Sequence, residues 1–133
     1  MKKLVLIFLL LCFSLPSIAN WVVESETNKS TNYYFKKNSY KTFFGDVEVT
    51  ILGDLKYPDR IYTDRKSSDG SSYQESYSSI ITTYQIDCKK KLQKMLKVKF
   101  YSGQMGQGLL VSEIKDKSDW FWLDSSSNSL FCK

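Results

Sequence analysis

Residues 77–101 have the sequence YSSIITTYQIDCKKKLQKMLKVKFY, and this stretch decides the fold. Apolar and polar residues alternate along 84–88 and again along 96–100, and a period of two predicts β-strands with one apolar face. The three lysines at 89–91 predict a charged turn between the two strands. We therefore expect a long antiparallel hairpin. The positions expected to face its core are Ile80, Thr82, Tyr84, Ile86, Cys88, Leu96, Val98 and Phe100.

The segment before this hairpin begins with a clear strand. Val47, Val49 and Ile51 alternate with polar residues, which predicts one apolar face and one wet face. Pro58 is expected to break this strand, because proline cannot donate to a β-ladder. The segment 67–79 contains seven serines and the turn signal Asp69-Gly70, so we expect a long mobile loop there.

The remaining segments predict shorter elements around these strands. A polar connection is expected at 36–41, and a turn is expected at 103–108, where glycines recur. Trp120 and Trp122 share one side of a late strand, and we expect that side to face the core. Asp124 is a candidate cap for a short helix that ends near Cys132. Further strands are expected at 21–23, 33–35, 109–111 and 120–123.

These elements predict a mainly β protein. We expect a single bent antiparallel sheet of about six strands, with a short C-terminal helix tied on by a disulfide. No internal repeat and no second domain are visible in the 133 residues. The expected domain is 20–133.

The first nineteen residues have the pattern of a secretory signal peptide. Two lysines precede an apolar run at 4–13, which is too short to span a bilayer. Small residues then predict cleavage between Ala19 and Asn20. Cys12 follows three leucines instead of a small residue, so we expect no lipid on it. The chain is therefore predicted to be exported, periplasmic or secreted, with display at the cell surface if Cys12 is lipidated.

Removal of the leader leaves two cysteines, Cys88 and Cys132. In an oxidising compartment the expected state is one intramolecular disulfide. An intermolecular bridge or a redox pair is the alternative, although no Cys-x-x-Cys spacing supports it.

The composition limits the possible chemistry. The chain has no histidine, which excludes a Ser-His-Asp or Cys-His nucleophile and an imidazole-ligated zinc site. No carboxylate pair has the spacing of a calcium loop, and the glycines at 103–108 lack the Lys-Ser/Thr of a phosphate loop. We therefore predict a non-catalytic binding protein with no metal and no cofactor.

Two surfaces are candidates for binding. Six lysines lie between positions 89 and 99, where they form either a patch for polyanions or, as we favour, a solvated strand face. Nucleic acid is not an expected partner, because 19 basic residues face 14 acidic ones. The abundance of Tyr and Ser is typical of adaptable protein-binding surfaces. The candidate binding residues are Tyr73, Tyr77, Lys97, Lys99 and Tyr101.

The order of these motifs resembles that of the surface-adhesin protein E family, a group of small exported Gram-negative proteins. The resemblance spans nearly all of the chain after the leader, and its most specific part is the Tyr-x-Ile-Asp-Cys-Lys segment at 84–89. The matching pieces are Trp21-Val22, Tyr33-Tyr34-Phe35 followed by Ser39, the segments 84–89 and 101–108, Trp120, and the closing Cys132-Lys133.

This resemblance implies a small antiparallel β domain in which Cys88 and Cys132 tie the terminal helix to the sheet. It also implies a non-catalytic role in binding extracellular-matrix or serum proteins such as laminin, vitronectin and plasminogen, and it leaves room for a homodimer. The alternative from a different class is a periplasmic or secreted inhibitor or accessory protein of a hydrolase such as lysozyme. An inhibitor would bind one enzyme tightly, whereas an adhesin would bind several matrix proteins more weakly.

Overall fold

The structure is a computed structural model that describes residues 21–35, 40–41 and 45–132. The predicted leader 1–19, its cleavage site at Ala19 and Asn20, Cys12 and most of the connection at 36–41 lie outside the described residues. The described elements are β1 (Trp21–Glu26), β2 (Ser30–Phe35), β3 (Tyr40–Lys41), β4 (Val47–Lys66), β5 (Ser72–Asp87), β6 (Leu92–Tyr101), β7 (Leu110–Ile114), β8 (Phe121–Trp122) and α1 (Ser125–Phe131).

All the described strands form one antiparallel sheet. Its order is β1-β2-β4-β5-β6-β7, with β3 also paired to β4 and β8 also paired to β6. The predicted hairpin is confirmed as β5 and β6, in which Ile80 pairs with Phe100 and Thr82 with Val98. The prediction of one antiparallel sheet with a short C-terminal helix is therefore confirmed.

The helix covers one face of the sheet, which we call the helix-bearing face. Val47, Val49 and Ile86 are buried there, as the alternation predicted. The helix contributes Phe131 to this cluster, and the preceding turn contributes Leu123. Burial of these apolar side chains is the main force that holds the short helix against the sheet.

The helix is also fixed at both of its ends. At its start, Asp124 accepts a hydrogen bond of 2.8 Å from the backbone N–H of Ser127, which confirms the predicted cap. At its end, Cys132 forms a disulfide with Cys88, and both cysteines pack against the same core. The predicted intramolecular pairing is therefore confirmed.

A second core cluster contains Tyr77, Val98 and Phe100. The rings of Tyr77 and Phe100 meet edge to face with centroids 5.0 Å apart. Met95 packs against this cluster, whereas the predicted core residue Leu96 has no partner in β5, because the register shifts between Thr83 and Tyr84. This bulge moves Met95 into the position that strict alternation assigned to Leu96.

The opposite face carries Lys94, Lys97 and Lys99 of β6, and we call it the lysine face. One residue on it is deeply buried, since Leu52 is 0% exposed although the alternation placed it on the wet side. The glycine loop, residues 103–108, covers Leu52. A Cβ atom on Gly106 would lie 2.7 Å from Ile81 Cδ1, and the φ angle of Gly106 is +71°. Glycine is therefore required where this loop approaches the sheet.

Two predictions about segments are wrong. The strand does not break at Pro58, because β4 continues to Lys66 with a register shift between Asp54 and Asp59. The serine-rich segment is not a long loop, because β5 begins at Ser72.

The prediction for the late tryptophans is wrong as well. Trp120 and Trp122 share one side of the chain, but that side faces solvent, and their side chains are 41% and 78% exposed. Within the segment predicted as a long serine-rich loop, only residues 67–71 form a turn.

Candidate functional site

A two-stranded extension of the sheet, which we call the arm, is formed by residues 56–78. The pairing of β2 with β4 ends at Leu55, and the pairing of β6 with β5 ends at Ser79. Beyond these points β4 and β5 pair only with each other among the described strands, from Asp59 with Tyr77 to Lys66 with Ser72. The arm therefore extends beyond the paired ends of β2 and β6, and no other described strand pairs with either of its edges from residue 59 to residue 77.

The tip of the arm is held by Asp69. The backbone N–H of Ser71 donates to Asp69 Oδ1 at 2.9 Å, and the hydroxyl groups of Ser67 and Ser71 donate to the same oxygen. These hydrogen bonds lower the pKa of Asp69 to about 2. A carboxylate satisfied in this way closes a tight turn, and the positive φ of Gly70, +83°, completes it.

Three tyrosines on the arm are open to solvent. Tyr57 is 76% exposed, Tyr62 is 68% exposed and Tyr73 is 50% exposed. Tyrosine rings that remain exposed in the folded monomer offer large, rigid contact areas at low entropic cost. The arm therefore has the composition of a protein-binding element.

A groove lies where the arm leaves the sheet. It has a volume of about 280 Å³ and is lined mainly by the apolar parts of Leu55, Tyr57 and Pro58, with Lys29 and Asp59 at its rim. A groove with an apolar floor and one charge of each sign at its rim suits an apolar side chain of a protein partner.

The sequence-predicted binding residues do not form one surface. Tyr73 lies on the arm, whereas Tyr77 is only 9% exposed and its hydroxyl donates to Asp59 Oδ2 at 3.3 Å. Lys97, Lys99 and Tyr101 lie on β6, on the lysine face, where all three are half-buried.

The lysine face is partly neutralised by acids from the neighbouring strand. Lys99 Nζ lies 3.9 Å from a carboxylate oxygen of Glu113 on β7, and Lys115 Nζ lies 3.5 Å from the other oxygen. This pairing supports the interpretation of the strand lysines as a solvated face of the sheet.

A cavity of about 300 Å³ lies on the helix-bearing face, between the start of α1 and the sheet. Its lining includes the carboxylates of Glu24 and Asp124 above the apolar side chains of Ile51 and Ile80, with Tyr84 at one side. No lysine or arginine is among its described lining residues. The cavity therefore carries negative charge over an apolar floor.

The electrostatics of this cavity follow from burial and from the helix cap. Burial, and then the charge of Asp124, raises the pKa of Glu24. Burial, and then the charge of Glu24, raises the pKa of Tyr84. Asp124 behaves in the opposite way, because hydrogen bonds from Ser126 and Ser127 lower its pKa to about 2. The charge of Asp124 therefore disfavours the ionised form of Glu24 across the cavity.

The described residues contain no group of three or more Cys, Asp or Glu side chains placed to hold a metal ion. Within the same residues, no helix is long and apolar enough to cross a membrane.

The family of the chain is decided by a match along almost its whole length. The family model described as "Surface-adhesin protein E" matches residues 21–131. The chain belongs to the surface-adhesin protein E family. This confirms the resemblance seen in the sequence, and it makes the chain an adhesin-like member of that family. No curated protein sequence matches the chain significantly.

Solved structures of Haemophilus influenzae protein E have the same fold as this adhesin-family chain. One of them matches with a TM-score of 0.63 and 13% sequence identity, covering 90% of each chain. Crystal form II of the same protein matches with a TM-score of 0.63 and 13% identity, covering 86% of this chain and 87% of the other. At this identity the likeness shows the fold.

Two exposed residues of the arm, Tyr57 and Tyr62, were missed by the sequence analysis. Pro58 led to the prediction of a strand break, so neither tyrosine was assigned to a strand. A signal was present, because along 54–66 nearly every position of both parities is polar or aromatic. That pattern is expected for a two-stranded arm that is largely exposed, and within it Thr63 is 7% exposed and Ile61 packs against the second core cluster.

Proposed function

We propose that this surface-adhesin family member binds host extracellular-matrix or serum proteins of the laminin, vitronectin and plasminogen class, and that the arm is its contact element. The observation that carries the proposal is the exposure of Tyr57, Tyr62 and Tyr73 on a projecting ribbon. The family match supports the adhesin-like role, and the geometry supports the choice of surface.

The role is non-catalytic in this proposal, and the protein acts outside the inner membrane. The absence of histidine and the lack of a paired acid-base site in the sequence favour binding over catalysis. The leader at 1–19 favours export, with release into the periplasm or medium if Cys12 is not lipidated. An arm on a rigid base suits such a role, because binding residues often lie on projecting segments held by a scaffold.

The arm is expected to carry most of the binding energy through a few aromatic anchors. Interface energy concentrates in a small number of residues, and tyrosine is among the enriched types. Tyr62 and Tyr73 are the better candidates for anchors, because Tyr57 also lines the groove at the base of the arm. Lys97 and Lys99 remain candidate contacts of the proposal, although their half-buried state gives them less surface to offer.

The test is a binding measurement on the double variant Tyr62→Ser/Tyr73→Ser. Surface plasmon resonance against laminin, vitronectin and plasminogen is expected to show a loss of affinity of about tenfold or more, which corresponds to about 1.4 kcal/mol. The matched control is Leu109→Ser, which removes a side chain that is 79% exposed and lies off the arm. The control is expected to keep the wild-type affinity.

A second comparison separates the arm from the lysine face. Lys97→Glu/Lys99→Glu is expected to leave affinity within about threefold at physiological salt, because apolar and tyrosine contacts respond weakly to salt. Circular dichroism confirms that each variant is folded. Unchanged binding by the tyrosine variant, together with a tenfold loss in the folded lysine variant, would refute the arm and assign recognition to the lysine face.

A further inference from the structure

A corner of the sheet far from the arm combines exposed tryptophans with lysines. The turn between β5 and β6 joins this corner to β8, because the backbone N–H of Leu123 donates to the carbonyl oxygen of Lys91 at 2.9 Å and Trp122 pairs with Leu92. We call this surface the corner patch. Its members are Lys89, Lys90, Lys91, Lys94, Trp120 and Trp122.

The tryptophans of the corner patch lie on the lysine face. Lys94 Nζ lies 4.6 Å from the centroid of the Trp120 ring, which is a cation–π contact. Trp122 has the same parity as Trp120 and pairs with Leu92, which has the same parity as Lys94. Because side chains alternate along a strand, both indole rings project on the same side as the Lys94 ammonium group. Trp122 is 78% exposed, so its ring has no packing role in the described fold.

The charge of the corner patch is positive. Lys90 Nζ lies 3.9 Å from Asp87 Oδ2, and its side chain remains 75% exposed. Lys89 and Lys91 form no ion pair with any described residue. Asp87 lies directly before the turn in the sequence and Asp119 directly before Trp120, so the four lysines outnumber these two acids.

The position of the turn is fixed, which makes the patch a preorganised surface. Cys88, directly before the lysines, is bonded to Cys132, and the backbone N–H of Lys90 donates to Asp87 Oδ1 at 3.0 Å. Lys91 has a φ angle of +54°, which turns the chain into β6. The lysine side chains therefore start from a rigid backbone instead of a loose loop.

We propose that the corner patch binds the surface of an anionic lipid bilayer, with Trp122 inserted at the level of the headgroups and the lysines against lipid phosphate. Tryptophan favours the boundary between water and lipid because its ring is apolar and its N–H is polar. Lysines beside it keep their ammonium groups in water while their methylenes lie along the apolar layer. The observation that selects this occupant is charge complementarity, since the turn and strand that carry the four lysines lie beside the strand that carries the exposed Trp122.

In this arrangement the arm and the patch serve different partners. The patch lies at the turn after β5, whereas the arm lies at the opposite end of the same strand. The patch can therefore rest on a membrane while the arm points away from it.

The test uses the full mature chain, residues 20–133, and sedimentation with vesicles of phosphatidylglycerol and phosphatidylcholine in a ratio of about one to two. The wild type is expected to bind these vesicles at low salt, to bind more weakly as salt rises, and to leave pure phosphatidylcholine vesicles unbound. Its tryptophan emission is expected to shift to shorter wavelength on binding, since an indole ring leaves water.

The patch variant is Lys89→Gln/Lys90→Gln/Lys91→Asn, in which asparagine tolerates the positive φ of position 91. Each lysine at an anionic surface contributes roughly a factor of five to partitioning, so the triple variant is expected to bind about a hundredfold more weakly. The matched control is Lys29→Gln/Lys66→Gln/Lys115→Gln, which removes the same charge from exposed positions away from the corner. The control is expected to stay within about threefold of the wild type.

A second variant, Trp122→Ser, is expected to weaken binding and to abolish most of the emission shift while leaving the thermal unfolding midpoint unchanged. Three results would overturn the proposal: no vesicle binding by the wild type, an equal loss in the patch and control variants, or an unchanged emission shift in Trp122→Ser. Binding of heparin that is lost in the patch variant, with vesicle binding intact, would also overturn it and assign the patch to a soluble polyanion.

Discussion

The disulfide between Cys88 and Cys132 is expected to provide a large part of the stability of this domain. The two cysteines lie 44 positions apart in the sequence. Cross-linking a ring of this length removes unfolded-state entropy worth about 4 kcal/mol in the chain-entropy model. A domain of this size has a total stability of about 5–15 kcal/mol. The double variant Cys88→Ser/Cys132→Ser is therefore expected to lose roughly 3–4 kcal/mol.

The loss should begin at the helix. An isolated helix as short as α1, which has seven residues, is unstable in water. Once the disulfide is gone, the helix is held to the sheet by the contacts of Leu123 and Phe131 with the core and by the hydrogen bond from the Leu123 N–H to the Lys91 carbonyl. The amide hydrogen of Asn128, bonded to the Asp124 carbonyl at 2.9 Å, is therefore expected to exchange much faster in the variant than amides of β5.

The assay is urea unfolding followed by tryptophan fluorescence, with the free energy obtained by linear extrapolation. Reduction of the wild type with a thiol reagent is expected to reproduce the variant, and the reagent should have no effect on the variant itself. A double variant that stays within about 1 kcal/mol of the wild type would refute the chain-entropy argument. A full loss of stability with Asn128 still protected would refute the claim that the helix opens first.

Two further substitutions test the cavity and the glycine loop. Burial and Asp124 raise the pKa of Glu24, so its contribution to stability is present below the unfolded-state pKa and is lost as the pH rises through the folded-state pKa. Glu24→Gln is therefore expected to raise the urea midpoint at neutral pH, with the gain shrinking in acid; a lower midpoint at neutral pH would contradict this. Ser79 is 0% exposed, and its hydroxyl donates to the Gly103 carbonyl at 2.6 Å and accepts from the Gly106 N–H at 2.9 Å. Ser79→Ala is expected to cost about 1–3 kcal/mol, because it leaves a buried amide unpaired, whereas the exposed control Ser76→Ala should cost almost nothing.

The central strands could be predicted because one face of the sheet is buried along their length. Where Val47, Val49 and Ile86 face the helix, the period of two in the sequence matches the burial in the structure. The prediction failed on the other face at Leu52, since its burial depends on a loop that comes from fifty residues further along the chain. Local alternation carries no information about such a contact.

The arm could not be predicted, because the sequence rules for proline and serine assume strands that pair with neighbours along their whole length. Pro58 lies beyond Leu55, where the pairing with β2 ends, and inside the register shift between Asp54 and Asp59. No described ladder partner needs an N–H from that position, so the strand continues through the proline. Ser79 misled the prediction in a similar way, since its hydroxyl is used by the glycine loop and not by a turn of its own.

The exposure of individual aromatic residues could not be predicted for a different reason. Parity correctly placed Trp120 and Trp122 on one side, but the choice between core and solvent depends on what covers that side. The same limit applies to Tyr77 and Tyr73, which are four residues apart on one strand. The first packs on Phe100, whereas the second is 50% exposed. The spacing of the two residues along the strand does not show this difference.

The residues that stabilise this single sheet and the residues proposed for binding lie in different parts of it. The helix and its disulfide cover one face, and the glycine loop covers part of the other, so most buried residues lie in the first part of β4 and in the strands β5 and β6 beside it. The arm and the corner patch lie at opposite ends of β5, outside this covered region. Substitutions at their exposed side chains should therefore change binding with little effect on folding, since surface changes away from the core usually cost less than about 0.5 kcal/mol. A fold arranged in this way can change the exposed side chains at both ends of β5 while its buried core is kept.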